Sequence, residues 1–449
     1  MSNKLTNAGF YVLKSFKIRP LLASQQRTDG SMPGFVEVNN TITHWSISES
    51  MNSPFIQGSA VISESDNLLE DVPMIGEEEC IITYEDFYGD IVTSHFFIYA
   101  IEDVKPSPGI NDRMMSYTIK FCSQQKLFSD QREVRKSYAN AKISDIVKEV
   151  YDSYFLTGNK EIDKELIVEE TTGEQTLVIP NLRPDSAMQF LSRRAYSNES
   201  KSSLFKFFET RDRYYFCTHE WLIKNKVDFE GISENARNRL IFMYSTVDNN
   251  TGDGQQRAQQ SVATIEYGTK VDTFADIKNG GYRRTITELD IAHRTRITRT
   301  FDYAAEFEDF EAPSELKLTH SKDFVNSFLS TTNAPETVLM TDFPQIGMNE
   351  GQNAQRKPYQ HFYENYTTKP IVDYHMNRNA FSIEIFGRIH LYPGDVIDLD
   401  LYKFSTTVAS TREVDRERSG KYLVTSIGHS FAGDDYKQTL IITKGGLAK

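Results

Sequence analysis

Two stretches of the chain, roughly 320 residues apart, carry the same order of apolar and polar positions. The first runs from the turn Met74-Ile75-Gly76-Glu77 into Cys80-Ile81-Ile82-Thr83-Tyr84, then Phe96 to Ile101, then the alternating Tyr117-Thr118-Ile119-Lys120-Phe121. The second runs from Tyr392-Pro393-Gly394-Asp395 into Val396 to Leu401, then Lys421 to Ile427, then Tyr436 to Ile442. Each sets a Gly-acid turn ahead of a β-branched strand, a hydrophobic strand and a Tyr-led alternating strand, the pattern of a small antiparallel barrel or sandwich. Chance is the competing reading, since any two strand–turn–strand segments share some of this. The fold class expected is mainly β with α+β insertions: two similar antiparallel β-barrels, an α/β module and an insertion domain.

Between the copies the period changes. Ile143, Ile146, Val147, Val150, Tyr151 and Tyr154 fall on one face of a helix. Pro184 and Asp185 open a second helix, with Ala187, Phe190, Leu191 and Ala195 on its face. Leu177 to Pro180 and Leu204 to Phe216 read as strands, and the polar stretch 247–261 as a linker or exposed loop. The β pattern returns at Val262, with Arg283 to Leu289 and Ile291 to Thr300, and resumes at Phe381. The stretch between differs: an acidic run Glu306 to Glu311, a possible helix Lys322 to Leu329, and the aromatic cluster Tyr359, His361, Phe362, Tyr363 and Tyr366. The expected division is therefore a first tube-like barrel over 1–125, an α/β module over 126–246, a second barrel split into 247–300 and 371–449, and an insertion over 301–370.

Composition narrows the class. With 449 residues, 39% apolar and 12% aromatic, the chain is globular and long enough for several cores. The longest apolar run, Phe96 to Ile101, is far short of the ~20 residues that cross a bilayer. The first ten residues have neither the apolar core nor the cleavage site of a signal peptide. Cys80, Cys122 and Cys217 have no metal-ligand or CxxC spacing and are expected as buried thiols in a reducing compartment. Net charge is −13, yet no Lys or Arg lies between Thr28 and Val104, which hold 15 acids. The first barrel therefore appears as the acidic part; a solvated face that aids solubility is the plain reading.

The chemistry-bearing motifs are incomplete. His219-Glu220 begins a zinc-protease helix, but Ile223 stands where the second His is needed. Gly252-x-Gly254 has Arg257 in place of the third dinucleotide-loop glycine, and Asp248-x-Asn250 lacks a calcium loop's terminal Glu. No nucleophile elbow and no phosphate-binding GKS/T occurs. No catalytic, metal or cofactor site is expected, although a carboxylate pair of the glycosidase kind could lie unmarked among the acids. Lys270, Lys278, Arg283, Arg284, Arg294, Arg296 and Arg299 suit ion pairing between barrels or subunits at least as well as nucleic acid.

The ending Leu391-x-Pro393-Gly394-Asp395-x-Ile397, Gly420-Lys421-Tyr422-x-Val424-x-x-Ile427-x-His429-x-Phe431 and Tyr436 to Thr443 resembles that of the central baseplate hub proteins of T-even-type contractile-tailed phages, related to the hub part of VgrG. The Ala139 to Tyr154 and Pro184 to Ala195 helices, followed by Leu204 to Phe208 and Tyr214 to Phe216, are similar to the family's middle module, and Phe274 to Tyr282 with Asp290 and Phe301-Asp302 to the start of its second barrel. The resemblance implies a homotrimer whose six barrels adapt a six-fold tail tube to a three-fold spike around a channel for DNA. It also implies a virion location in the tail baseplate after synthesis and assembly in the host cytoplasm, with partners in the tail tube protein, a separate spike protein and other baseplate subunits. The spike is expected as another chain, since no β-helix repeat follows the second copy. DNA would pass without specific binding, and Glu77, Glu78, Glu79, Glu85, Asp86 and Asp90 are the candidate channel-facing acids, of which strand alternation admits about half. Tyr359, Phe362, Tyr363 and Tyr366 are the candidate partner-docking aromatics. The competing functions are a tail-associated cell-wall hydrolase and a carbohydrate-binding tail protein.

Overall fold

In a computed structural model the chain is described over residues 7–19, 34–65, 78–107, 114–225, 239–241, 258–267, 283–290, 294–302, 336–341, 368–378, 380–401 and 418–444, with a few isolated positions between them. It is mainly β with large antiparallel sheets. The strands before the first helix are β1 (Val12–Arg19), β2 (Val36–Glu37), β3 (Ile42–Ser50), β4 (Gln57–Glu64), β5 (Glu79–Glu85), β6 (Ile91–Ser107) and β7 (Met114–Cys122). Their alternation is visible in β3, where Trp45, Ile47 and Glu49 face inward and Ser46 and Ser48 between them face the other way.

The middle module contains β8 (Val134–Lys142), β9 (Glu165–Val168), β10 (Glu174–Leu182), β11 (Lys206–Glu209) and β12 (Arg213–Cys217), with helices Ile143–Tyr154 and Pro184–Ser192 packed on them. Ile143, Ile146, Val147, Val150 and Tyr151 are buried, as their spacing requires. Pro184 occupies the first turn of its helix. The first of these helices begins at Ile143, not Ala139: residues up to Lys142 belong to β8, paired with β10, and Asn140 there has a positive φ of 50° that helical geometry forbids.

Beyond the module come β13 (Arg239–Ile241), β14 (Val262–Tyr267), β15 (Arg283–Asp290), β16 (Thr295–Asp302), β17 (Glu336–Thr341), β18 (Phe381–Phe386), β19 (Val396–Asp400), β20 (Gly420–Ala432) and β21 (Asp435–Thr443). Strand pairing repeats the sequence duplication. The first copy is ordered β3-β4-β7-β6-β5, and the second β14-β18-β21-β20, with β19 completing it beside β20. The turns match as well. Gly76 and Gly394 have φ of 91° and 90°, a region open to glycine at little cost. The carbonyl of Glu78 accepts from Ile98 N at 2.9 Å, and that of Asp395 from Val424 N at 2.8 Å.

The two copies are not separate sheets. The C-terminal half of β20 pairs with β3, from Ser426↔Ser50 to Ala432↔His44, so one path runs from β14 to β2. That path is open at both ends among the described residues. Just before β1 the chain returns to the β20–β21 turn: Phe10 bridges Asp435, and Tyr436 N donates to Gly9 O at 2.7 Å. The first core accordingly includes Ile389, Phe431 and Tyr436 beside Phe16, Trp45, Tyr84 and Phe121. Trp45 and Phe431 stack at 3.6 Å between ring centroids. Gly387 is required there, because a Cβ at that position would meet the Tyr436 ring at 1.9 Å.

One expectation changes. β15 and β16, read as second-barrel strands, lie in a separate three-stranded sheet whose central strand, β15, pairs with β16 on one side and β17 on the other. Alternation identifies a strand but not its partner.

Candidate functional site

The most concentrated chemistry in the chain is a buried polar junction where both copies and the middle module meet. Three elements supply it: Glu49 from β3, His429 from β20, and Arg211 from the turn between β11 and β12. The side chains of Glu49 and His429 are fully buried and that of Arg211 nearly so. Arg211 donates to Glu49 from its backbone N at 2.9 Å and from Nε at 2.6 Å. Its Nη1 reaches Tyr84 Oη at 3.0 Å, and its Nη2 reaches the carbonyls of Ile389 and Leu391 at 2.8 and 2.9 Å. The guanidinium thus makes four hydrogen bonds, one of them charge-assisted, which is the kind of satisfaction under which burying an ion is tolerable.

His429 completes the network. Nε2 lies 2.8 Å from Glu49 Oε1 and Nδ1 lies 2.7 Å from Tyr436 Oη. A carboxylate can only accept, so Nε2 carries the proton and Nδ1 accepts from the tyrosine. Gln438 Nε2 donates to the Arg388 carbonyl at 2.8 Å, and Gln259 spans Gly9 N and the Gly387 carbonyl, each at 2.7 Å.

The charge states follow. Burial by itself would raise the Glu49 carboxyl, but Arg211, helped by His429, brings it down to about 2. Burial, with Arg211 beside it, pushes His429 down to about 4 against the pull of Glu49. Burial also raises Tyr84 and Tyr436. At neutral pH the junction is thus one fixed ion pair and a neutral imidazole. It has no proton to exchange there, so it acts as a tie.

Beside it a cleft of about 210 Å³ opens between the Thr93–Phe96 part of β6 and the Glu161–Glu165 and Glu209–Asp212 segments. Carboxylates line it, but four are already engaged. Glu209 accepts from Ile56 N and Lys164 Nζ at 2.9 and 2.7 Å, Asp163 from Thr157 N and Gly158 N at 2.7 and 2.8 Å, and Glu165 and Asp212 both pair with Arg213. Among the described residues no cluster of three or more His, Cys, Asp or Glu is placed to hold a metal ion, and no helix is long and apolar enough to cross a membrane. Cys80, Cys122 and Cys217 are buried and outside any disulfide, and burial pushes the Cys122 thiol up to about 12.

The acids singled out from the sequence have different placements. Glu78 and Asp86 are buried: Glu78 accepts from Gly76 N at 2.9 Å, and Asp86 from Tyr88 N and Asp90 N at 2.9 and 3.1 Å. Both are thus taken up in closing turns and lie off the exposed surface of the chain. Glu79 and Glu85 lie on the outward face of β5, and Asp90 is partly exposed. Each has a basic neighbour: Arg19 at 3.3 Å, Lys14 at 2.5 Å and His390 at 2.9 Å. The first copy is less one-sided than 28–104 implies, because β1 lays its bases along acidic β5. Glu77 and the aromatics Tyr359, Phe362, Tyr363 and Tyr366 lie outside the described residues.

No family model matches the chain, and no curated protein matches it significantly. Solved structures do. A tail protein from Neisseria meningitidis MC58 superposes with a TM-score of 0.54 at 10% identity, covering 97% of both chains. The 43 kDa tail protein of prophage MuSo2 from Shewanella oneidensis gives 0.48 at 9% identity, over 96% of this chain and 98% of that one. A Francisella PdpA–VgrG complex gives 0.46 at 11% identity, over 97% of this chain and 59% of the other. Over nearly its whole length the chain has the fold of the Neisseria tail protein, a kind of neighbour that the resemblance noted in the sequence led one to expect.

Proposed function

We propose that this chain is the structural, non-enzymatic hub of a contractile phage-tail baseplate, three copies of which form a ring between a six-fold tail tube and a three-fold spike. The observation that carries the reading is the repeated five-strand order within one continuous sheet. Two equivalent units per chain turn three chains into six equivalent positions, which is what a three-fold to six-fold adaptor needs. The Glu49–Arg211–His429 junction suits such a role, since a ring under load needs its repeated units fixed to each other and to the module.

In this reading both copies close into tube-like barrels within the ring, and DNA passes through its centre without specific binding. Glu79, Glu85 and Asp90 are the acids proposed to face the passage, where like charge keeps DNA from adhering. Tail tube protein, a separate spike and peripheral baseplate subunits are the proposed partners, with Tyr359, Phe362, Tyr363 and Tyr366 proposed to dock the last of these. The test is native mass spectrometry and electron microscopy of the purified chain, alone and with its spike. Three copies in a hollow three-fold ring are expected, with interfaces on the order of 2,000 Å² or more. A chain that stays monomeric with its tail partners present overturns the proposal.

A further inference from the structure

The helix Thr368–Arg378 returns the chain to β18 and is clamped to the middle module by two lysines pointing in opposite directions. Lys369, on the helix, donates Nζ to the carbonyls of Ser192 and Phe205 at 3.1 and 3.2 Å. Lys206, on β11, reaches the other way, to Asp373 Oδ1 at 3.0 Å and Asn52 Oδ1 at 3.1 Å. Ile371 and Val372 pack with Leu204 and Phe301, and Thr443 Oγ1 donates to the Met376 carbonyl at 2.7 Å. The helix therefore gathers the module, the end of β16 and the end of β21 at the foot of the segment that leaves after β14.

We propose that this helix is a pH-sensitive latch, holding the foot of the 268–380 segment against the module at neutral and alkaline pH and loosening on mild acidification, when Lys369 brings its charge into the buried junction. The geometry makes the charge unwelcome. Lys369 meets only neutral carbonyls, and the nearby carboxylate of Asp373 is already engaged by Lys206. Burial first, then Lys206, push Lys369 down to about 7 against the pull of Asp373, with Arg193 adding to the push.

The other titratable groups around the helix are few. His219 is held neutral, pushed down to about 3 by burial and by Lys206. His375, on the helix itself, and Glu220, on the module, are buried. From β15 and β16 come Arg284, lowered by burial, and the ion pair Arg283–Asp302. From the end of β21 comes Lys444, pushed down to about 8 by burial. Lys369 bonds directly across the seam, from the helix to the carbonyls of Ser192 and Phe205 in the module.

The sign is fixed by linkage. An undocked lysine titrates near ~10.4, so between about 7 and 10 the docked form is neutral while the undocked form holds a proton, and docking strengthens as pH rises. Below 7 both forms are protonated and the dependence levels off. Moving from pH 8 to pH 6 then raises the undocked fraction about tenfold.

Amide hydrogen exchange of the full chain at pH 6 and pH 8, corrected for intrinsic rates, reads this directly. Peptides covering 368–378 are expected to open about tenfold more at pH 6, and Lys369→Met to remove that difference. Wild-type protein with no such difference overturns the latch, whatever the variant does. A Lys369→Met chain that keeps the full pH dependence also overturns it, assigning the effect to another group.

Discussion

Arg211 donates to both oxygens of the Glu49 carboxylate, from its backbone N and its Nε, although 162 residues separate the two in sequence. The contact joins the module to β3, and His429 on the same carboxylate joins β20. Removing one partner of a buried pair strands the other in a medium that cannot solvate it. Arg211→Met is therefore expected to destabilise the chain by ~3–5 kcal/mol. The double change with Glu49→Gln should cost less than the sum of the single changes, because no charge is left behind. Urea unfolding followed by tryptophan fluorescence checks both; strict additivity would show that the two side chains are not coupled.

The same junction sets an acid limit. Glu49 is held at about 2, below its ordinary range, so its contribution is complete above an ordinary carboxyl's pKa of ~4.3 and is lost as pH falls toward 2. His429 is buried neutral, held at about 4, so its contribution is complete above ~6.5 and is lost as pH falls from there to 4. Both act in one direction, each by up to ~1.4 kcal/mol per pH unit. Melting temperature should fall steadily from pH 6.5 downward, and His429→Gln should lessen the slope between 6.5 and 4 without abolishing it, since His219 is also buried neutral, while leaving the steeper acid limb. A melting temperature constant from pH 7 to pH 4 contradicts this assignment.

The matching turns make a paired prediction. Gly76 and Gly394 hold the same left-handed conformation ahead of equivalent strands. Alanine at either position is expected to cost ~1–2 kcal/mol, and similar amounts at both if the turns are true copies. Thermal unfolding of the two single variants compares them. A change harmless at one site and severe at the other would argue that the likeness is superficial.

Parts of the junction were legible in the sequence. Glu49 follows Trp45 and Ile47 at the same parity, and His429 sits between Ile427 and Phe431, so each places a polar group on a strand's inward face, where only a partner makes it tolerable. Arg211 gave no such signal, because it stands in a turn beside Asp212 and Arg213, and loops carry no periodicity. The duplicated strands were readable because alternation and turn chemistry are local. The joining of both copies through β3 and β20, the separate sheet of β15, β16 and β17, and the pairing of acidic β5 with basic β1 were not, since each depends on which strand lies alongside which.

The largest test concerns the segment between β14 and β18. Tyr267 and Phe381 are register partners at the open end of an antiparallel pair, so the chain leaves and re-enters the sheet at one place. In the first copy the equivalent strands β3 and β4 are joined by residues 51–56 alone. Replacing residues 268–380 with a six-residue Gly-Ser linker should therefore close a simple hairpin at little entropic cost. The deletion also removes the helix with Ile371 and Val372, which leaves Leu204 without its apolar neighbours, so a modest loss of stability in the middle module is expected. If the segment serves to dock peripheral baseplate subunits, the shortened chain still assembles as a ring but fails to recruit them. Loss of the ring itself, with the remaining strands still folded by circular dichroism, would place the segment in the assembly interface instead.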